Sequence, residues 1–258
     1  MRGLITAIRT LSSLPVPGRE ADAPADAIPW FPLVGALLGA ILYGLAHAGC
    51  RLIPHPWPAG IAVLVVLAGV LLTRALHLDG LADWADGFWG ATDPARVLAI
   101  MKDSRIGVFG AAALTLCLLA KWVALTRLLT FEAYAWLIPA LVLSRTVQAD
   151  LAVTLPYARA EQGTAAPFVR HATPRHRQFA LLCGATLLFL FQGQIGLGLF
   201  IAGWLGGRLL GRWFKARTGG VTGDLLGAAG ELTETTVLLA AGLLAPCLPV
   251  PSLWALCW

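Results

Sequence analysis

Six stretches of this chain are apolar for long enough to cross a bilayer: Phe31 to Gly49, Ala59 to Leu76, Ile106 to about Leu129, Ala133 to Leu155, and within Phe179 to Leu210 and Thr235 to Pro249. A helical crossing needs about 20 residues. A chain of 258 residues that is 58% hydrophobic and only 13% charged also lacks the polar surface to cover a water-soluble globule. The reading is an all-α, polytopic integral membrane protein with six or seven transmembrane helices, a single transmembrane domain over residues 1–258, in contact with the lipid bilayer. The count turns on Phe179 to Leu210, long for one helix and tight for two, where Gly193, Gly196 and Gly198 predict a hairpin or a re-entrant break. Trp30, Trp57, Trp122, Trp204, Trp213 and Trp254 fall near predicted span ends, as an aromatic belt does; Trp84 and Trp89 do not.

Ahead of the first span, Leu4, Ile5, Ile8, Leu11 and Leu14 share one half of a helical wheel, with Arg2, Thr6, Arg9 and Ser13 on the other. This predicts an N-terminal amphipathic helix, either lying in the headgroup layer or packing against the protein. No cleavable signal peptide is expected, because the first residues lack a long apolar core and an A-x-A-like site. With the N-terminus inside and seven spans, residues 1–30, 77–105, 156–178 and 211–234 share one side. Nearly all Lys and Arg fall on or beside these segments, and the other side keeps Arg51 and Arg127. The positive-inside rule makes that basic side cytoplasmic. The net charge of +5 is therefore a topology signal, and no nucleic-acid partner is expected. The five cysteines are dispersed without a C-x-x-C pair, as apolar packing residues are. Oligomeric state is open, a homo-oligomer included.

Charge is scarce, so where it gathers matters. Leu76-His77-Leu78-Asp79-Gly80-Leu81-Ala82-Asp83-Trp84-Ala85-Asp86-Gly87 puts Asp79, Asp83 and Asp86 at i, i+4 and i+7, within an arc of roughly 60° on a helix. Acids so placed repel one another, and a divalent cation is the simplest counter-ion. A second acidic stretch follows the turn Thr218-Gly219-Gly220-Val221-Thr222-Gly223: Asp224, Glu231 and Glu234 share an arc of roughly 80° on a helix starting near Thr222, ahead of the last span. Gly220, Thr222 and Gly223 bring backbone N–H groups to a helix start, where phosphate oxygens bind; Thr222 or Asp224 as a plain N-cap is the other reading. A third stretch, Met101-Lys102-Asp103-Ser104-Arg105-Ile106-Gly107-Val108-Phe109-Gly110, offers Lys102 and Arg105 to a diphosphate or its leaving group, or to simple anchoring at the membrane edge.

These three stretches converge on one predicted membrane face, which points to metal-assisted chemistry on a phosphorylated substrate. Carboxylates without thiolates favour Mg²⁺, with Mn²⁺ as the other candidate. Inside the spans, Arg145 and Asp150 fit an internal ion pair or a substrate path, Lys121 is expected to snorkel outward, and His77 is a base candidate or a structural hydrogen-bonding group.

The strings LHLDGLADWADG, MKDSRIGVFGAAAL and TGDLLGAAGELTE, with RTLSSLPVPG and FPLVGALLG nearer the N-terminus, resemble the cobalamin-5′-phosphate synthase family, the adenosylcobinamide-GDP ribazoletransferases. Ser12-Ser13 depart from the Thr-Arg pair often found before the first Pro there, and residues 130–203 add little to the match. The resemblance implies a bacterial cytoplasmic-membrane, Mg²⁺-dependent transferase in nucleotide-loop assembly, late in cobalamin biosynthesis. Such an enzyme joins adenosylcobinamide-GDP to α-ribazole or its 5′-phosphate and releases GMP. It implies Asp79, Asp83, Asp86, Asp224, Glu231 and Glu234 around the metal, Asp86 or Glu231 among the acid–base candidates, Lys102 and Arg105 on the leaving group, and Gly220, Thr222 and Gly223 near phosphate. Two rivals stay open. A CDP-alcohol phosphotransferase begins D-G-x-x-A-R, where this chain has Asp79-Gly80-Leu81-Ala82-Asp83-Trp84. A cation-coupled transporter places its acids nearer the membrane midplane.

Overall fold

The computed structural model describes residues 1–159 and 163–247, so Trp254 and Cys257 lie outside the described residues. Its helices are α1 (Arg2–Leu11), α2 (Phe31–Leu52), α3 (Pro58–Thr73), α4 (Leu76–Gly90), α5 (Pro94–Ile100), α6 (Val108–Thr130), α7 (Leu137–Thr154), α8 (Ala166–Arg170), α9 (Pro174–Thr218) and α10 (Gly223–Leu244). Among the described residues five helical segments are long and apolar enough to cross a membrane, and α3 with α4, bent by 89°, make a sixth. The chain is a polytopic all-α membrane protein.

The core helix is α7, buried along nearly its whole length and packed on α2, α9 and α10. Its polar residues are spent on neighbours: Ser144 Oγ donates to the Gly230 carbonyl at 2.9 Å and Gln148 Nε2 to the Leu226 carbonyl at 3.0 Å, one turn apart on each helix. Hydrogen bonds between helices are a main source of cohesion where lipid removes the hydrophobic drive. The outer helices turn leucine, isoleucine and valine outward, as Val63, Leu67 and Leu71 on α3 and Leu116, Leu119 and Val123 on α6 show, the inverse of a soluble bundle.

The glycine-rich stretch near residue 193 is a hairpin. Gly193 has φ 58° and ψ −135°, open to glycine and strained for other residues, and it breaks α9 into two arms. Asp150 shows that the arms run side by side: it accepts from Arg177 Nε at 2.6 Å and lies 3.6 Å from Arg208 Nη1, residues a straight helix would hold about 46 Å apart. Asp150 is thus neutralised by α9 and not by Arg145.

The other break positions the acids. Arg74 and Ala75, with φ 53° and 55°, form a left-handed corner between α3 and α4, unusual for residues with a Cβ. The corner is clamped from the N-terminal segment: Arg74 Nη2 donates to the carbonyls of Arg9 at 2.9 Å and Ser12 at 3.1 Å, and Ser13 N–H donates to Leu72. The amphipathic helix α1 buries Ala7, Ile8 and Leu11 against the 3-10 turn Pro24–Trp30 and α2, so its apolar stripe is covered by protein. At the far end of α4, Trp84, Phe88 and Trp89 pack edge-on with Trp213 and Phe214 of α9. Trp213, expected in the aromatic belt, belongs to this cluster.

Candidate active site

Helix α4 crosses the start of α10 with no side chain between them. A Cβ on Gly80 would lie 2.5 Å from the Asp224 carbonyl oxygen, so only glycine permits the approach. Thr222 caps α10, its Oγ1 accepting from Leu225 N–H at 3.3 Å. The crossing brings Asp79, Asp83 and Asp224 within electrostatic reach of one another, with Arg159 as the compensating cation. Asp79 is exposed, and Asp83 and Asp224 are half-buried.

Arg159 is the residue that sequence reasoning missed. It sits beyond α7 on a segment pinned to the glycine turn: Ala158 N–H donates to Val221 at 2.9 Å and Val221 N–H to Pro156 at 2.8 Å, with Gly220 pressed against the Pro156 carbonyl. From there Arg159 Nη2 donates to Asp224 Oδ2 at 2.8 Å and to the Met101 carbonyl at 3.3 Å, joining the second acidic stretch to the basic one. Only its position among the basic residues of the same predicted face pointed to it.

The remaining candidates have other engagements. Asp86 turns from α4 to the start of α6 and accepts from Gly107 N–H at 2.7 Å and Gly110 N–H at 2.8 Å, a carboxylate on exposed amides at a helix N-terminus. Arg105 and Asp103 pair at 2.6 Å on the exposed loop before α6, and the arginine's hydrogen bonds hold the Asp103 carboxyl down at about 2. Lys102 is exposed on the same loop. Glu231 and Glu234 lie deeper on α10 and are buried, each 2.6 Å from the Lys121 ammonium. The two glutamates therefore do not precede the last span; they sit inside the helix that forms it. Lys121 does not snorkel: two carboxylates hold it 8% exposed within the bundle. Arg145 is buried beside this group and donates to Ser144 Oγ at 3.0 Å.

Beside the acid rim a cleft of about 310 Å³ opens between α1, α4, α7, α8 and α10. Asp79, Asp224, Gly223 and His77 line one side, Arg9 and Arg74 stand at another, and Phe31, Phe168 and Leu226 contribute apolar wall. Among the described residues no three His, Cys, Asp or Glu side chains are gathered closely enough to enclose a metal ion by protein ligands alone. An all-oxygen rim open to a cleft still fits Mg²⁺, which binds through one or two carboxylates, waters and substrate phosphates and not in a closed protein cage.

The cobalamin-5-phosphate synthase family model matches residues 3–242. A Chlorobium chlorochromatii protein described as adenosylcobinamide-GDP ribazoletransferase is 46% identical over 245 residues, covering 94% of this chain and 96% of that protein. Proteins of the same description from Chlorobium phaeobacteroides and Syntrophobacter fumaroxidans are 46% and 40% identical, over 96% and 93% of this chain. No solved structure matches the chain. A match of this length, over the helices that build the acid rim, the corner and the cleft, means that the chain belongs to the cobalamin-5-phosphate synthase family.

Proposed function

We propose that this chain is an adenosylcobinamide-GDP ribazoletransferase that moves the cobinamide phosphate of adenosylcobinamide-GDP onto a hydroxyl of α-ribazole or its 5′-phosphate, releasing GMP. The observation that carries the reading to these residues is the crossing of α4 and α10 at Gly80, which sets Asp79 and Asp224, one carboxylate from each motif, on the rim of one cleft with Asp83 within electrostatic reach. The positive-inside rule supports a cytoplasmic orientation for the basic side of the chain, which holds this rim, and the transferase reading places it in a bacterial inner membrane.

One or two of the carboxylates of Asp79, Asp83 and Asp224 would hold Mg²⁺, which when bound supplies charge neutralisation to the diphosphate. Arg159 fixes the Asp224 carboxylate and adds positive charge at the rim. One rim carboxylate accepts the proton of the ribazole hydroxyl as its oxygen forms a bond to the phosphorus that bears the cobinamide. The bond from that phosphorus to the bridging oxygen breaks, and GMP leaves with the bond's electrons. Lys102 and Arg105, on the exposed loop tied to Arg159 through Met101, neutralise the departing phosphate. Asp86, already satisfied by amides of α6, holds the loop that carries them.

The test is GMP release by purified protein in liposomes given adenosylcobinamide-GDP, α-ribazole 5′-phosphate and Mg²⁺. Release that requires all three supports the reading; none from well-folded protein overturns it. The transporter reading is weakened, since Asp150, an acid inside a membrane-spanning helix, is closed by two arginines.

A further inference from the structure

Two substrates of very different size must meet at the acid rim, and the cleft beside it has room for one. At about 310 Å³ it sits at the lower limit of pockets for drug-sized ligands, about 300–1,000 Å³. A nucleoside monophosphate is of that size; a corrin ring carrying an adenosyl group and GDP is several times larger. The wall separates two nucleosides further. Phe31 and Phe168 stand with ring centroids 6.5 Å apart beside Leu11, Leu76 and Leu226, an apolar surface that suits a benzimidazole. The donor's guanine carries a hydrogen-bonding edge that the Phe31–Phe168 face of the cleft would leave unpaired, at a cost.

One polar group in that wall is unaccounted for. His77 is 2% exposed, and its Nδ1 has no hydrogen-bond partner. Among the described residues it is the cleft-lining side chain whose buried nitrogen is left open, and it sits two positions before Asp79. A buried nitrogen without a partner costs stability unless a ligand completes it.

We propose that this cleft is the acceptor site: it seats the aromatic base of α-ribazole against Phe31 and Phe168, the His77 imidazole hydrogen-bonds the ribose, and the corrin stays outside the rim. The proposal rests on the transferase reading above. It places the ribose between His77 and the acid rim, so that the nucleophilic hydroxyl emerges beside Asp79 and Asp224. Arg74 at the cleft margin faces the 5′-phosphate, and so sets a preference for the phosphorylated acceptor.

Ala165, half-buried on the cleft wall before α8, admits a blocking side chain. In Ala165→Trp, the KM for α-ribazole 5′-phosphate rises about tenfold or more while that for adenosylcobinamide-GDP stays within about twofold. His77→Leu lowers kcat/KM for the acceptor about 100-fold, and His77→Asn, which keeps a polar atom near Nδ1, recovers part of it. Calorimetric binding of α-ribazole 5′-phosphate to the wild type without donor, weakened in Ala165→Trp, reads the same site with no turnover. An effect of Ala165→Trp on the donor KM instead, or acceptor binding unchanged in that variant, overturns the proposal. A protein that binds the acceptor in the cleft and yields no GMP overturns the transferase reading alone.

Discussion

Asp224 and Glu234 stand on one face of the same helix, about 15 Å apart along its axis, and lead opposite lives. Asp224 sits on the rim of an open cleft with one arginine contact. Glu234 and its neighbour Glu231 are buried and closed by Lys121, with Cys117 and Thr235 filling the remaining space. The difference is depth. At the rim a carboxylate keeps access to water, substrate and metal; three turns down it must be neutralised by the protein itself, because isolated charge in an apolar interior costs far more than a paired one. The comparison divides the acids of this chain into an open set, Asp79, Asp83 and Asp224, and a closed set, Glu231, Glu234 and Asp150.

The largest effects should follow from the open set. Asp83→Asn and Asp224→Asn each reduce GMP release by about 10³-fold, the scale of losing a group that binds or neutralises charge in the transition state. Their melting temperatures in detergent stay close to the wild type's, because asparagine keeps the shape of the side chain and, at position 224, an oxygen that accepts from Arg159. Substantial activity in both variants would dissolve the division between the two sets.

The closed set should respond the other way round. Lys121→Met strands two buried carboxylates and destabilises the protein by about 3–5 kcal/mol. Adding Glu231→Gln and Glu234→Gln to Lys121→Met restores folding, since the triple variant carries no uncompensated charge there. If the triad is structural, the triple variant releases GMP within about tenfold of the wild type. A triple variant that is stable and inactive would move these glutamates into the chemistry, where the sequence had placed them.

That misplacement shows what a linear pattern reads and what it does not. Helical spacing predicted correctly that Asp224, Glu231 and Glu234 share a face, but azimuth carries no information on depth, nor on a lysine more than a hundred residues away in the chain. The same limit hid Asp86: its spacing with Asp79 and Asp83 is regular, yet its oxygens are taken by the amides of α6, a tertiary contact. Most of the spans, a break near Gly193 and the convergence of the three motifs were legible because hydropathy, glycine and motif order are local or cumulative signals. Arg159 was not, because its role depends on a backbone pairing between residues 156–158 and 221.

A smaller effect tests how the rim is assembled. Gly80→Ala puts a methyl group against the Asp224 carbonyl, and backbone cannot yield as a flexible side chain does. The helices must part by most of an ångström, which displaces the two acidic motifs from each other while leaving every carboxylate present. GMP release falls about 10–100-fold, on the scale by which small misplacements slow positioned reactions, and raising Mg²⁺ recovers part of it. Loss of folding instead would mean that the crossing is needed for stability before it is needed for geometry.

The smallest effect belongs to the loop outside the rim. Arg105 is exposed and paired with Asp103, so its charge already faces solvent and a screened partner. Arg105→Ala slows GMP release by less than about tenfold, and added salt narrows the gap, since exposed charge acts at long range and weakly. The sign of the acid response follows from the same pair. Asp103 is held at about 2, below an ordinary aspartate, so its contribution is fully present above the unfolded value and is lost as pH falls through that range toward 2. Between pH 6 and 8 the pair stays charged, and Asp103→Asn leaves the shape of the pH–rate profile unchanged. A profile that shifts in that variant would bring the loop onto the rim and extend the open set by one more acid.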